Sequence, residues 1–392
     1  MIIKNANVFI DGKFQKTDVR FDESGILEIG TDLKGEEVID AKGNDLYAGI
    51  IDCHIHGGFL RSFSAYVKED TWEDYGDPET QARFICQKVT ENGVTTVLPT
   101  IGDLSEEDYV KCVRLIRKIR KDIKGADPAY FHLEGAYMNP EHHSSFNHDH
   151  DRLPKKEHTL EIMDNDLSDL KLISLAPELP GSMEWLDWIT QYPQIHVEAG
   201  YTKASAQCMI EAANHGLDHT THMFNGFEYM HHRIDGPDVG IMYDDRIQCQ
   251  LTLDGYHVSP MWAKFLIKVK GIENIYGLTD LSSHSGLPEG EYHFKNGRVI
   301  IAKDGFIRDE KGTIQSGNNT MDQIMRLARN RVGLSKEEVA QIFCENPASC
   351  LGIRDRGKIE VGRRSDFVIM DDNYHVLRTI IKGETVYENS ER

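Results

Sequence analysis

The chain has 392 residues, with 44 Lys+Arg against 64 Asp+Glu and a formal net charge of −20. At 40% hydrophobic and 28% charged residues it has the composition of a soluble globular protein with a large core, not of a disordered chain. The acidic balance argues against nucleic-acid binding driven by phosphate attraction, and no run of about 18 apolar residues offers a membrane span.

The first residues, Met1-Ile-Ile-Lys-Asn-Ala-Asn-Val, alternate like a strand and lack a signal-peptide layout. Ile10-Asp11-Gly12-Lys13 fits a two-residue Asp-Gly hairpin turn. Val38-Ile-Asp-Ala-Lys-Gly43 reads as a further strand and turn. The last forty residues repeat this style, with strands at 366–370 and 379–386 and a turn at Gly383. Both ends are therefore expected to pair into one small β-sandwich domain, residues 1–49 and 358–392.

Between them the pattern changes to apolar runs followed by amphipathic helical stretches. Strand-like runs fall at 50–54, 95–100, 130–133, 172–176, 195–198, 219–222, 248–253 and 275–279. Eight strand–helix units in one series predict an α/β fold, a (β/α)8 TIM-like barrel over residues 50–357. No Gly-x-Gly-x-x-Gly or P-loop pattern supports a nucleotide fold. Seven scattered cysteines without a Cys-x-x-Cys pair read as reduced thiols and a cytoplasmic protein.

In such a barrel, chemistry gathers at the C-terminal ends of the strands, and polar residues fall there repeatedly. In Ile51-Asp52-Cys53-His54-Ile55-His56-Gly57-Gly58, His54 and His56 are two apart and share a strand face, so two imidazoles can meet one ion. Glu134, in Phe131-His132-Leu133-Glu134-Gly135, ends a later strand with a carboxylate suited to a divalent cation. His132 shares its parity one layer deeper. His222, in Thr221-His222-Met223-Phe224-Asn225-Gly226, is the next candidate ligand, with His219 on the opposite face. His257 lies in a loop suited to hydrogen-bonding a substrate carbonyl. Asp280 ends the last strand, where a carboxylate can touch a metal and take a proton from its water.

These motifs in this order resemble the amidohydrolase superfamily, and within it the N-acetylglucosamine-6-phosphate deacetylases, over nearly the full length. The resemblance rests on the block at 48–58, on Leu133-Glu134-Gly135, Leu175-Ala176-Pro177-Glu178, Thr221-His222-Met223-Phe224-Asn225 and Asp254-Gly255-Tyr256-His257-Val258. Thr279-Asp280, Gly286-Leu287-Pro288-Glu289-Gly290, Asn346-Pro347-Ala348 and Gly357-Lys358-Ile359-Glu360-Val361-Gly362 continue it. It implies a cytoplasmic, metal-dependent hydrolase that removes the acetyl group from an N-acetylated amino sugar phosphate, first of all N-acetylglucosamine 6-phosphate. Glu134 is then the central metal ligand and His222 a ligand of a second position. Asp280 is the catalytic acid/base, and His257 polarises the acetamide carbonyl. Asn225, Gly226 and Arg233 contact the sugar phosphate, Arg233 through its planar fork. A homodimer is the implied assembly.

Three positions depart from the family pattern. Tyr201 stands where a histidine ligand is expected, Phe146 replaces a histidine beside His142 and His143, and Gln315-Ser316-Gly317 replaces an Ala-Gly-Ser. His54, His56, Glu134 and Asp280 survive as one set, so a single firmly held divalent ion is expected, Zn²⁺ as first choice. His222 is left for a weak second ion or a water, with Tyr201 and His143 as further candidates. The alternatives are a relative acting on N-acyl amino acids, cyclic amides or aminopurines, and a non-catalytic sugar-phosphate binding protein.

Overall fold

The computed structural model describes residues 1–35, 37–65, 75–141, 148–294 and 297–390. Eight parallel strands form its centre: β1 (Ile50–Ile55), β2 (Val94–Ile101), β3 (Phe131–Tyr137), β4 (Leu170–Leu175), β5 (His196–Ala199), β6 (His219–Thr220), β7 (Gln248–Leu251) and β8 (Ile275–Gly277). Each is hydrogen-bonded to its successor. The round is completed on the mouth side, where Leu281 bridges Ile55 in parallel and the Asp280 N–H donates to the His54 carbonyl at 3.0 Å. The barrel expected from the eight apolar runs is thus the observed fold.

The strands read as near-continuous apolar runs because both faces are covered: β1, β2, β3 and β4 are buried throughout. The helix Glu106–Ile119 shows how the outer layer is specified. Its buried residues Tyr109, Cys112, Val113, Ile116 and Ile119 follow the helical spacing. Ser105 caps it by accepting from the Asp108 N–H, and acidic and basic residues occupy its first and last turns.

The two termini join in one eight-stranded sheet. Its order runs Glu384–Glu388, Val376–Ile381, Phe367–Met370, Asp45–Ala48, Ile2–Ile10, Lys13–Asp22 and Gly25–Gly30, with Val38–Asp40 also paired to Ile2–Ile10. The Asp11-Gly12 turn is the predicted one: Ile10 faces Lys13 across it, and both central residues have positive φ, 51° and 74°.

A four-stranded antiparallel sheet after β8, Gly290–His293, Val299–Lys303, Phe306–Asp309 and Ile314–Gly317, was not anticipated. Its strands are short and partly exposed, so they carry little apolar periodicity. It matters to the site because Gly317 lies against the His257 ring, where an added Cβ would stand 3.0 Å from Cε1. Among the described residues, no helix is long and apolar enough to cross a membrane.

Candidate metal centre

Alternation along β1 turns His54 into the barrel mouth, and His56 follows at its rim, as the His-x-His spacing requires. Their Nε2 atoms stand 3.3 Å apart. Glu134 reaches the same place from β3, with Oε1 3.4 Å from His54 Nε2 and Oε2 3.0 Å from His56 Nε2. Asp280, just past β8, brings Oδ1 to 3.3 Å from His54 Nε2 and 3.7 Å from His56 Nε2. The structure therefore brings the four residues to one place, in two overlapping groups: His54, His56 and Asp280 in one, and His54, Glu134 and His222 in the other.

These spacings fit an ion. Ligand atoms about 2.0–2.2 Å from a tetrahedral cation lie ~3.4 Å from one another, and two imidazole nitrogens 3.3 Å apart can share either a proton or a metal ion. Electrostatics agree. Burial alone disfavours the charged imidazole of His54, yet the carboxylates of Glu134 and Asp280 outweigh it and lift its pKa to about 10. Glu134 is fully buried, but His54, His222 and His56 hold its carboxyl well below the usual range. Without a cation this cluster keeps protons in its place.

Backbone geometry holds the ligands. Gly102 is crossed by the Glu134 carbonyl so closely that a Cβ there would lie 1.5 Å from its oxygen. Asp280 takes a left-handed φ of 52°, a conformation Asp tolerates better than most residues. Thr279 beside it donates to the buried Asp52 at 2.6 Å. Burial raises the Asp52 carboxyl to about 6, against the opposing hydrogen bonds of Thr279.

His222 is buried beside them, with Nε2 2.9 Å from Glu134 Oε1 and 2.9 Å from the Tyr201 hydroxyl. Its Nδ1 is buried without a partner among the described residues. Tyr201 has a positive φ of 46°, and its ring packs on Gly226, where a Cβ would come within 2.8 Å. Glu178 pins the loop carrying Tyr201: it accepts from Thr202 Oγ1 at 2.5 Å, the Lys203 N–H at 2.8 Å and Asn139 Nδ2 at 2.7 Å.

His257 stands at the mouth with Nδ1 2.6 Å from Asp254 Oδ2. The Asn225 side chain is turned back on its own loop, donating to the His222 carbonyl at 3.2 Å. Arg233 is exposed on the loop that follows, its N–H 3.3 Å from His231 Nδ1. His143 and Phe146 lie outside the described residues.

A second histidine cluster lies at the opposite end of the barrel, where His196 and His219 open β5 and β6. Each Nδ1 bonds Asp218, at 2.7 and 2.8 Å. These are ordinary hydrogen-bond lengths, and His219 does not join the ligand cluster, in keeping with its opposite-face reading.

Sequence reasoning placed His132 one layer beneath the cluster but missed its partners there, Glu198 and Gln250. Gln250 on β7 accepts from His54 Nδ1 at 3.1 Å, and the buried Glu198 on β5 holds both Gln250 and His132. The signal was present as polar residues inside strand runs, Glu198 in β5 and Gln250 in β7.

Comparison with known proteins places this geometry in context. The model of the amidohydrolase family matches residues 46–386. The chain is 27% identical over 403 residues to the N-acetylglucosamine-6-phosphate deacetylase of Bacillus subtilis, covering 100% of this chain and 95% of that protein. It is 28% identical over 364 residues to the Homo sapiens protein of the same name, covering 90% and 86%. The crystal structure of the N-acetylglucosamine-6-phosphate deacetylase from Thermotoga maritima superposes with a TM-score of 0.82 at 27% identity, over 99% of this chain and 100% of that one. The matched model, which spans the whole barrel and most of the C-terminal strands of the terminal sheet, shows that this chain belongs to the amidohydrolase family.

Proposed function

We propose that this protein is a metal-dependent deacetylase of N-acetylated amino sugar phosphates, with N-acetylglucosamine 6-phosphate as the first substrate to test. The observation that carries the reading is the convergence of His54, His56, Glu134 and Asp280 within 3.0–3.7 Å at the barrel mouth. The relatives named above act, by their names, on that sugar phosphate.

His54, His56, Glu134 and Asp280 are the residues to hold one firmly bound divalent ion, Zn²⁺ by preference for two imidazoles with carboxylates. A divalent ion bound there makes water nucleophilic near neutral pH and polarises the acyl oxygen. Asp280 accepts the proton of the attacking water and passes it to the departing amine. His257, oriented by Asp254, donates to the oxygen that becomes negative in the tetrahedral intermediate. Tyr201 and His222 occupy the second position, leaving His222 a weak second ion or a water.

Arg233, exposed on its loop, serves the phosphate, with the loop at Asn225 and Gly226 against the sugar. A second copy is the proposed cover for exposed apolar side chains, among them Tyr229 at 88% exposed, Tyr243 at 78% and Met261 at 76%. Sedimentation tests this: a dimer is expected, and a monomer at micromolar concentration removes the claim.

The decisive assay is acetate release from phosphorylated and unphosphorylated N-acetylglucosamine, N-acetylgalactosamine and N-acetylmannosamine. Release from the phosphorylated sugars is expected. Turnover confined to N-acyl amino acids or dihydropyrimidines would reject the proposal.

A further inference from the structure

Beneath the ligand cluster the barrel holds a polar layer that none of the proposed chemistry uses. Glu198, fully buried on β5, is its centre. Its Oε1 accepts from His132 Nε2 at 2.5 Å and from Ser174 Oγ at 2.7 Å. Its Oε2 accepts from Gln250 Nε2 at 2.7 Å. An ionised carboxylate only accepts, so the Gln250 amide must turn its nitrogen to Glu198 and its oxygen the other way. That oxygen lies 3.1 Å from His54 Nδ1. An amide oxygen likewise only accepts, so Nδ1 of His54 must donate to it, which leaves Nε2 turned toward Glu134 and Asp280 as the nitrogen for a metal. The His132 ring, edge-on to His54 with centroids 4.5 Å apart, is fixed by Thr100 Oγ1 at 3.0 Å from its other nitrogen.

We infer that Glu198 is a positioning residue for the metal centre. Through Gln250 it sets the tautomer and orientation of the His54 imidazole, and its buried negative charge favours a cation above it. The inference rests on the metal reading proposed above and adds to it a residue four strands away from His54. Outer hydrogen-bond partners of ligand histidines typically contribute 10–100-fold to metal affinity. A carboxylate that served packing alone would affect stability and leave ion affinity untouched.

The test is a Zn²⁺ dissociation constant, measured by chelator competition on the full-length protein, with thermal unfolding of the metal-free form as control. Glu198→Gln keeps the shape of the side chain and removes the charge. Gln250→Leu breaks the link to His54. Ser174→Ala removes a bond to Glu198 that lies off this path. Both of the first two are expected to weaken binding about tenfold or more, and Ser174→Ala to change it less than twofold. Unchanged affinity in Glu198→Gln overturns the inference, even if Gln250→Leu binds weakly. If the unaltered protein binds no divalent ion, the metal reading itself fails, a result the inference alone could not produce.

Discussion

The Nδ1 of His257 lies 2.6 Å from Oδ2 of Asp254, while Oδ1 of the same carboxylate accepts the backbone N–H groups of Tyr256 and His257 at 2.8 and 2.9 Å. One buried side chain thus fixes both the loop and the imidazole on it, leaving Nε2 for an acyl oxygen. Burial opposes the charged imidazole, but the hydrogen bond and charge of Asp254, with the field of Asp280, outweigh it and raise the His257 pKa above its ordinary value. The charged form, the better donor to an oxyanion, therefore persists to higher pH. Its contribution to stability is full below the unfolded value of about 6.5 and is lost as pH rises through the raised folded value.

Asp254→Asn is expected to move the basic limb of the kcat/KM profile to lower pH and to reduce the plateau. His257→Ala is expected to cost ~10²–10³-fold in kcat, the usual weight of one oxyanion donor. A pH profile of Asp254→Asn that overlays the original would show that His257 does not act in its charged form.

Tyr201→His replaces the phenol at His222 with an imidazole. Tyr201 and His222 stand 2.9 Å apart beside Glu134 Oε1, so a second nitrogen ligand there completes a site from Glu134, His222 and residue 201. Metal analysis is expected to rise from about one ion per chain toward two. Two tightly held ions in the unaltered protein would contradict the single-ion reading.

The strands and their end residues were legible in the sequence because one barrel rule serves both: an apolar run marks the strand, and polar residues at or just past its C-terminal end mark the mouth. His54, His56, Glu134, His222 and Asp280 all follow it. Glu198 and Gln250 did not stand out because they lie within the runs, where a polar residue is read as an interruption. Their meaning needs the lateral neighbour: Glu198 pairs Ser174 on one side and His219 on the other, and strand order is a tertiary fact. The sheet at 290–317 was missed for a different reason. Its turns are clear, but half-exposed short strands leave no run to read.

Asp280→Asn is the sharpest test of the proton-transfer role. Asparagine also tolerates the left-handed backbone at position 280, so the fold is expected to persist. The amide cannot take the proton of water, and activity is expected to fall ~10²–10⁴-fold. Acetate release at the full rate in this variant would remove Asp280 from the chemistry.

Asp127 offers a stability test remote from the site. Its Oδ2 meets Arg356 Nη1 at 2.9 Å and Arg364 Nη1 at 2.7 Å, two residues of the segment that returns from the barrel to the terminal sheet. Its backbone pairs with β2, since its N–H donates to the Thr95 carbonyl at 2.8 Å and its carbonyl accepts from Val97 at 3.0 Å. One carboxylate therefore ties the barrel to the strand-return segment. Burial works to raise its pKa, but Arg356 and Arg364 outweigh that and hold it below the ordinary value. A depressed carboxyl stabilises the fold above the unfolded value of about 3.9, and the contribution is lost as pH falls through the folded value. Asp127→Ala removes the shared partner while Arg356 keeps Asp355 and Arg364 keeps Asp366, so the cost is expected at the lower end for a broken buried pair, about 3 kcal/mol. Urea unfolding at pH 7 measures it, and the difference from the unaltered protein is expected to shrink below about pH 4. A cost under ~0.5 kcal/mol, the range of ordinary surface substitutions, would show that the two arginines are held by their other carboxylates alone.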